Sequence, residues 1–268
     1  MLVNFNQKWI EILLFVWYYH AMERYKIVIQ YDGTAFSGFQ VQPEKRTIQG
    51  EIEKVLEFLL GTKTKIYASG RTDAGVSALG QVAHFDTEKV VNEKSFEGSL
   101  NALLPDDIAI TKLSHVGLDF DARFTVKKKT YRYQFYVSKY TLPLFDKTAV
   151  RINDYADVEL MKEACKFLIG TFDFSSFVAA KSGKTNFVRT IFDAKIVEGE
   201  NGVFAFEITG DGFLYNMVRI IFGTLVKVAY KKLEPKGVLD VILSKDRSKA
   251  GKTMAAKALI LKNVEYEA

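Results

Sequence analysis

What constrains this chain most is a local grammar met twice: a strand-like run, a turn, an amphipathic helix, then more strand-like runs. In the first half RYKIVIQYDG reads as a strand closed by the turn Asp32-Gly33. TIQGEIEKVLEFLLG follows as a helix, with Ile48, Ile52, Val55, Leu56, Leu59 and Leu60 on one face and Gly61 as its stop. KTKIYASG, GQVAHFDT, IAITKLSHV and TYRYQFYVSK are strand patterns, and FEGSLNALLP a helix halted at Pro105. In the second half DVELMKEACKFLIG puts Val158, Met161, Cys165 and Leu168 inward and closes at Gly170. FVRTIFDAKIVEGENGVFAFEITG is a hairpin turning at Glu200-Asn201-Gly202. FLYNMVRIIFGTLVKVAYKK is a long helix with Leu214, Met217, Val218, Ile221, Leu225 and Val228 as its buried stripe. A further helix opens at Pro235, and KALILKNVEY ends the chain as a strand. Strands broken by helices without strict alternation predict an α+β fold, largely antiparallel, with helices packed on the sheet.

At 268 residues the chain has room for two modest domains, expected at 22–125 and 126–268 after an N-terminal extension, 1–21. Hydrophobic residues at 48% and charged residues at 26% are an ordinary soluble balance. The net charge of +5 suits a polyanionic partner without requiring one. A single cysteine, Cys165, excludes an intramolecular disulfide and fits a reducing, cytoplasmic setting. His20, His84 and His115 have no metal-ligand spacing, which argues against a protein-held zinc. The apolar run after Glu11 falls well short of the roughly 20 residues a spanning helix needs, so no membrane association is expected. AAKSGKTN, from Ala179 to Asn186, is small and polar and reads as a mobile loop.

Three clusters carry candidate chemistry. In GRTDAGVSALGQVAHF, Asp73 sits between Gly70 and Gly75, on backbone that turns sharply and lets a ligand approach. Arg71 beside it offers a planar fork and favours the ionised acid, which makes Asp73 a nucleophile or base. An Asx-turn with a paired arginine explains the same spacing equally well. In VKKKTYRYQFYV, Lys127, Lys128 and Lys129 precede a strand whose Tyr131, Tyr133 and Phe135 share a face. Cations beside aromatics suit an unstacked base, though a solvated lysine turn before an ordinary strand fits as well. In GDGFLYNMVRIIFG, Gly210 and Gly212 allow a tight entry to the helix. Arg219 there has apolar neighbours and no acid in its own helix, so a buried guanidinium needs a partner such as Asp73.

YDGTAFSGFQ, TIQGEIE, GRTDAGVSALGQVAHF, DARF, KTYRY, FSSF, VRTI, GDGFLYNMVR and GKTMAAKALIL, in that order, make the chain resemble the tRNA pseudouridine synthase A family from Tyr25 to about Leu261. GRTDAGV is the specific element. The resemblance implies two ferredoxin-like, RNA-recognition-like α/β domains whose sheets join into one beside a basic cleft. It implies uridine-to-pseudouridine isomerisation at positions 38 to 40 of the tRNA anticodon arm, by a cofactor-free homodimer. By the same resemblance Asp73 is the catalytic aspartate, acting on the sugar C1′ or through a glycal. Arg71 assists extrusion of the nucleotide, Tyr131 stacks on the base, Arg219 pairs with Asp73 and Leu259 lines the pocket.

Departures from the family pattern are Ser77 for histidine, Phe39 for tryptophan, Asp121 in DARF, Phe172 for histidine, Ala255 for proline and Ala258 for glycine. The second reading is a catalytically silent tRNA-binding module on the same fold. A phosphate-cradling nucleotide site is discounted, since GxxxxGK[ST] is missing and a carboxylate stands where phosphates would lie. Removal of residues 1–21 is expected to leave a folded, active protein; a collapse in melting temperature of the shortened chain would contradict this.

Overall fold

A computed structural model describes residues 22–179 and 186–267. The N-terminal extension and all but the two end residues of AAKSGKTN lie outside the described residues. The strands are β1 Glu23–Tyr31, β2 Tyr67–Ala68, β3 Ser77–Thr87, β4 Ile108–Val116, β5 Val126–Val137, β6 Val150–Ile152, β7 Gly170–Asp173, β8 Val188–Glu198, β9 Val203–Gly210 and β10 Leu259–Tyr266. The helices are α1 Ile48–Leu60, α2 Glu93–Leu103, α3 Val158–Cys165, α4 Met217–Ala229 and α5 Gly237–Ser244.

One sheet runs through the molecule in the order β4-β1-β3-β10-β5-β9-β8-β7, with β2 on β3 and β6 on β5. Most pairings are antiparallel, as the α+β reading expects. The junction is made by the last strand: β10 runs parallel to β3 through Ile260↔Ser77 and antiparallel to β5 through Leu259↔Tyr133. Two clusters of buried side chains flank that junction. One gathers Tyr25, Ile27, Ile52, Leu56, Phe85 and Leu100 from β1, β3, α1 and α2. The other gathers Tyr133, Phe135, Phe206, Ile221, Phe222 and Leu225 from β5, β9 and α4. Tyr131 packs against both. On β9 Glu207 is buried and accepts from Arg132 on β5 (2.8 Å) and Lys262 on β10 (2.8 Å), stitching three strands. Burial pushes the Glu207 carboxyl up, but these two cations outweigh it and leave it below the usual glutamate range.

The helices begin and end for identifiable reasons. Thr47 accepts from the Gly50 amide at the N-cap of α1, and Gly61 closes it with φ 71°. Asn92 and Asp157 cap α2 and α3 in the same way. The hairpin of β8 and β9 turns where expected, with Asn201 at φ 56° and Gly202 at φ 75°.

Four local expectations are corrected. Helix α4 starts at Met217, because Asn216 takes the left-handed conformation (φ 60°) in a turn with Tyr215, closed by the Met217 amide on the Leu214 carbonyl (3.0 Å); Gly210 instead ends β9. Arg219 therefore lies in the first turn of the helix. The three lysines belong to β5 rather than preceding it. KTKIYASG forms only the two-residue β2, since Ser69 and Gly70 already turn toward the GRTDAGV loop. Gly170 opens β7 at φ 132°, while α3 runs into a 3-10 turn at Lys166–Leu168.

The segment after α5 crosses α4 at backbone contact. A Cβ on Gly251 would overlap the Gly223 carbonyl and the Thr224 amide. Gly251→Ala is expected to destabilise the fold by about 1–3 kcal/mol or more through overpacking. Gly98, in α2, has open space around its missing Cβ, and Gly98→Ala should stabilise by about 0.5–1 kcal/mol. Urea denaturation midpoints of the two variants should move in opposite directions.

Candidate active site

Four segments converge where β10 joins the two halves: the loop 69–76, the strand β5, the start of α4 and the segment 251–258. The loop is built first. Gln81, fully buried on β3, accepts from the Ser69 hydroxyl (2.7 Å) and donates to the Gly70 carbonyl (2.9 Å). Lys129 donates to the Ser69 carbonyl (2.6 Å). Tyr31 and Thr72 share a buried hydrogen bond of 2.7 Å, and burial pushes the Tyr31 phenol up to about 12. The Phe39 amide donates to the Thr72 carbonyl (3.1 Å), and the Val76 amide closes the turn on the Asp73 carbonyl (3.1 Å). Gly75 has φ 78°, and a Cβ there would lie 3.4 Å from Ala256. A side chain would be strained at this position, which explains the glycine.

Asp73 emerges from this frame into a hollow of about 260 Å³, lined also by Ser37, Phe39, Gln40, Arg71 and Tyr215. Its carboxylate lies 3.8 Å from the Arg219 guanidinium. Arg219 is itself aimed from behind: Nε donates to the Met254 carbonyl (2.6 Å) and Nη1 to the Asn216 side-chain oxygen (2.6 Å). The sequence reading gave two cations to Asp73, Arg71 beside it and Arg219 as its partner. The charge acting on the acid is Arg219, and burial outweighs it, so the carboxyl is shifted above the ordinary aspartate value. Arg71 stands exposed at the wall of the hollow, with no hydrogen-bond or ion-pair partner among the described residues.

Tyr131 is partly buried at the seam, edge-on to Phe213 with ring centroids 5.1 Å apart. Burial, then Tyr31 and Asp73, push its phenol well above the usual tyrosine value, so it stays neutral. Leu259 is 6% exposed, within the second core and outside the lining of the hollow. Asp73 and Arg219 are brought together and Arg71 shares the hollow, while Leu259 lies against the packed interior.

The departures from the family pattern are accommodated locally. The Ser77 hydroxyl accepts from the Gly33 amide (3.0 Å). Asp121 accepts from the Arg123 and Phe124 amides (2.7 and 2.9 Å). The Ala255 carbonyl accepts from the Tyr133 hydroxyl (2.7 Å). Phe172 packs edge-on to Phe174, and Phe39 is 6.2 Å from the Tyr31 ring.

Sequence reasoning missed Asn216, Phe213, Thr72 and Met254 as supports of the site. Asn216 had a signal, an asparagine just before an apolar helical run. Its side chain makes no cap hydrogen bond and serves Arg219 instead. Met254 acts through its backbone and carries no sequence signal.

A family model described as tRNA pseudouridine synthase matches residues 27–125 and 164–267. The chain is 45% identical over 249 residues to "tRNA pseudouridine synthase A" of Anoxybacillus flavithermus, covering 92% of this chain and 100% of that one. It is 46% identical over 246 residues to the protein of that name in Bacillus subtilis, covering 91% and 99%. A third, from Caldicellulosiruptor saccharolyticus, is 41% identical over 245 residues, covering 91% and 100%.

The raised pKa of Asp73 has a consequence for stability. A carboxyl whose folded pKa exceeds its unfolded value stabilises the fold while protonated and loses that contribution as pH rises through the folded pKa. Asp73→Asn, a neutral stand-in, is therefore expected to melt at or above the native temperature at pH 7. The difference should vanish in acid. Calorimetry across that pH range checks it, and a lowered melting temperature at pH 7 would contradict it.

Proposed function

The chain belongs to the tRNA pseudouridine synthase family, an isomerase converting uridine to pseudouridine in tRNA, and from that premise we propose that Asp73 is its catalytic carboxylate. The reaction breaks the N1–C1′ bond of uridine, turns the base and joins C5 to C1′; C5 gives up its proton to solvent and N1 takes one up, so the product is an isomer. Nothing is oxidised or hydrolysed overall. In either route, attack on C1′ or removal of a sugar proton to a glycal, Asp73 must act as an ionised group. The observation that carries the reading is the 3.8 Å approach of Arg219 to a carboxylate facing a hollow. Desolvation makes that carboxylate more basic, while one guanidinium opposes that shift and favours the ionised form.

The glycosidic bond of a stacked nucleotide is shielded, so the uridine leaves its helix to react, and the space it vacates needs filling. Arg71, at the wall of the hollow and without a partner among the described residues, is suited to that task and to holding phosphate. Tyr131, neutral and fixed edge-on to Phe213, supplies a flat face for the extruded base. Leu259, opposite Tyr133 and within the same buried cluster, contributes apolar surface behind the hollow. The targets we assign are uridines 38 to 40 of the anticodon arm, and the working form a cytoplasmic homodimer. No helix among the described residues is long and apolar enough to cross a membrane.

Asp73→Asn is expected to lower turnover at least about a thousandfold, the order seen when a group acting directly on the reacting bond is removed. Affinity for tRNA should stay within severalfold, since loss of one carboxylate does not weaken contact with a polyanion. Tritium release from tRNA carrying 5-³H-uridine, together with filter binding, measures both. Near-native release by the variant would refute the assignment.

A further inference from the structure

Arg219 is held by a segment that lacks regular structure of its own. Residues 251–255 follow no helix or strand before a 3-10 turn at Ala256–Ala258, so their position depends on tethers. On the inner side these are plain. The Gly251 amide donates to Thr224 Oγ1 (2.8 Å), and the Met254 amide donates to the Arg219 carbonyl (3.4 Å). Arg219 Nε answers at the Met254 carbonyl, and the Tyr133 hydroxyl at the Ala255 carbonyl (2.6 and 2.7 Å). The outer side is different. There the segment borders a second hollow, of about 350 Å³, lined by Asp146, Arg151, Lys252, Thr253, Met254 and Lys257. Arg247 donates to the Gly251 carbonyl (2.9 Å) and to Thr253 Oγ1 (3.4 Å), and among the residues lining the hollow one ion pair, Lys257–Asp146, spans it.

We propose that the Lys257–Asp146 pair is a positioning device for Arg219, and through it for the charge on Asp73; the inference rests on the catalytic reading of Asp73 given above. Lys257 Nζ donates to the Asp146 carboxylate (2.8 Å) and also to the Asp146 backbone carbonyl. Asp146 is anchored in turn. Its amide donates to the Leu142 carbonyl (3.0 Å), and its carboxylate accepts from the hydroxyl of buried Tyr136 on β5 (3.2 Å). A continuous path of contacts thus runs from β5 through Tyr136, Asp146 and Lys257 to the segment whose carbonyl aims Arg219. The two side chains are 33% and 39% exposed, and ion pairs of that exposure add little to global stability. The effect of this one lies in where the segment sits. If the segment drifts outward, Arg219 follows its Met254 partner away from Asp73, and the opposing influence of burial on the carboxyl goes unchecked.

Lys257→Ala is expected to lower the single-turnover rate roughly tenfold or more, as small misplacements of a site do. The acid limb of the pH–rate profile should move to higher pH, with the melting temperature nearly unchanged. Lys257→Arg should restore the native profile. A readout independent of activity is proton exchange at Arg219 Nε–H, assigned by its loss in Arg219→Lys; exchange should quicken in Lys257→Ala. If Lys257→Ala fails to fold, Asp146→Asn asks the same question while keeping the backbone acceptor. A native acid limb and native Nε–H exchange, with or without a slower rate, would overturn the proposal. Retained activity in Asp73→Asn would sink the catalytic reading instead, and the exchange measurement would still judge the tether.

Discussion

The candidate site turns on one contact between halves that are distant in sequence: the Arg219 guanidinium facing the Asp73 carboxylate at 3.8 Å across the seam of the sheet. Neither group is fixed by its own element alone. Asp73 sits on a loop whose carbonyls are spoken for by Gln81, Lys129 and Phe39. Arg219 sits in the first turn of a nearly all-buried helix and is aimed by Asn216 and Met254. The two meet because β10, the last strand, is hydrogen-bonded to β3 on one side and to β5 on the other.

Two opposing effects decide the charge at that contact. Burial raises the cost of ionising Asp73, and a single cation lowers it, with burial the larger. The outcome is a carboxylate more basic than one in water. Arg71 takes no part in this balance. It stands exposed at the wall of the hollow, with no hydrogen-bond or ion-pair partner among the described residues. At Glu207 the balance tips the other way, because two cations rather than one hydrogen-bond a buried carboxylate, and that site is structural.

The sequence made much of this legible. Periodicity and caps located α1, α2 and the β8–β9 hairpin, because local pattern and tertiary burial agree there. Asp73 stood out through its flanking glycines, and Arg219 through its want of a partner. Three things were not legible. The start of α4 was misplaced because Asn216 adopts a left-handed conformation that composition does not announce. The sequence offered two cations for Asp73, Arg71 beside it and Arg219 in search of a partner; Arg71 is exposed at the wall of the hollow, and α4 delivers Arg219. The burial of Leu259, which pairs with Tyr133, could not be read from the resemblance that named it. Supports that act through carbonyls, such as Met254 and Ala255, have no side-chain signature at all.

The most direct test is the carboxyl ¹³C titration of Asp73 in the intact protein, assigned by its absence in Asp73→Asn and repeated in Arg219→Gln. The midpoint should lie above the ordinary aspartate value of about 3.9 and rise further when the guanidinium is lost. A midpoint at or below that value, indifferent to Arg219, would contradict the account.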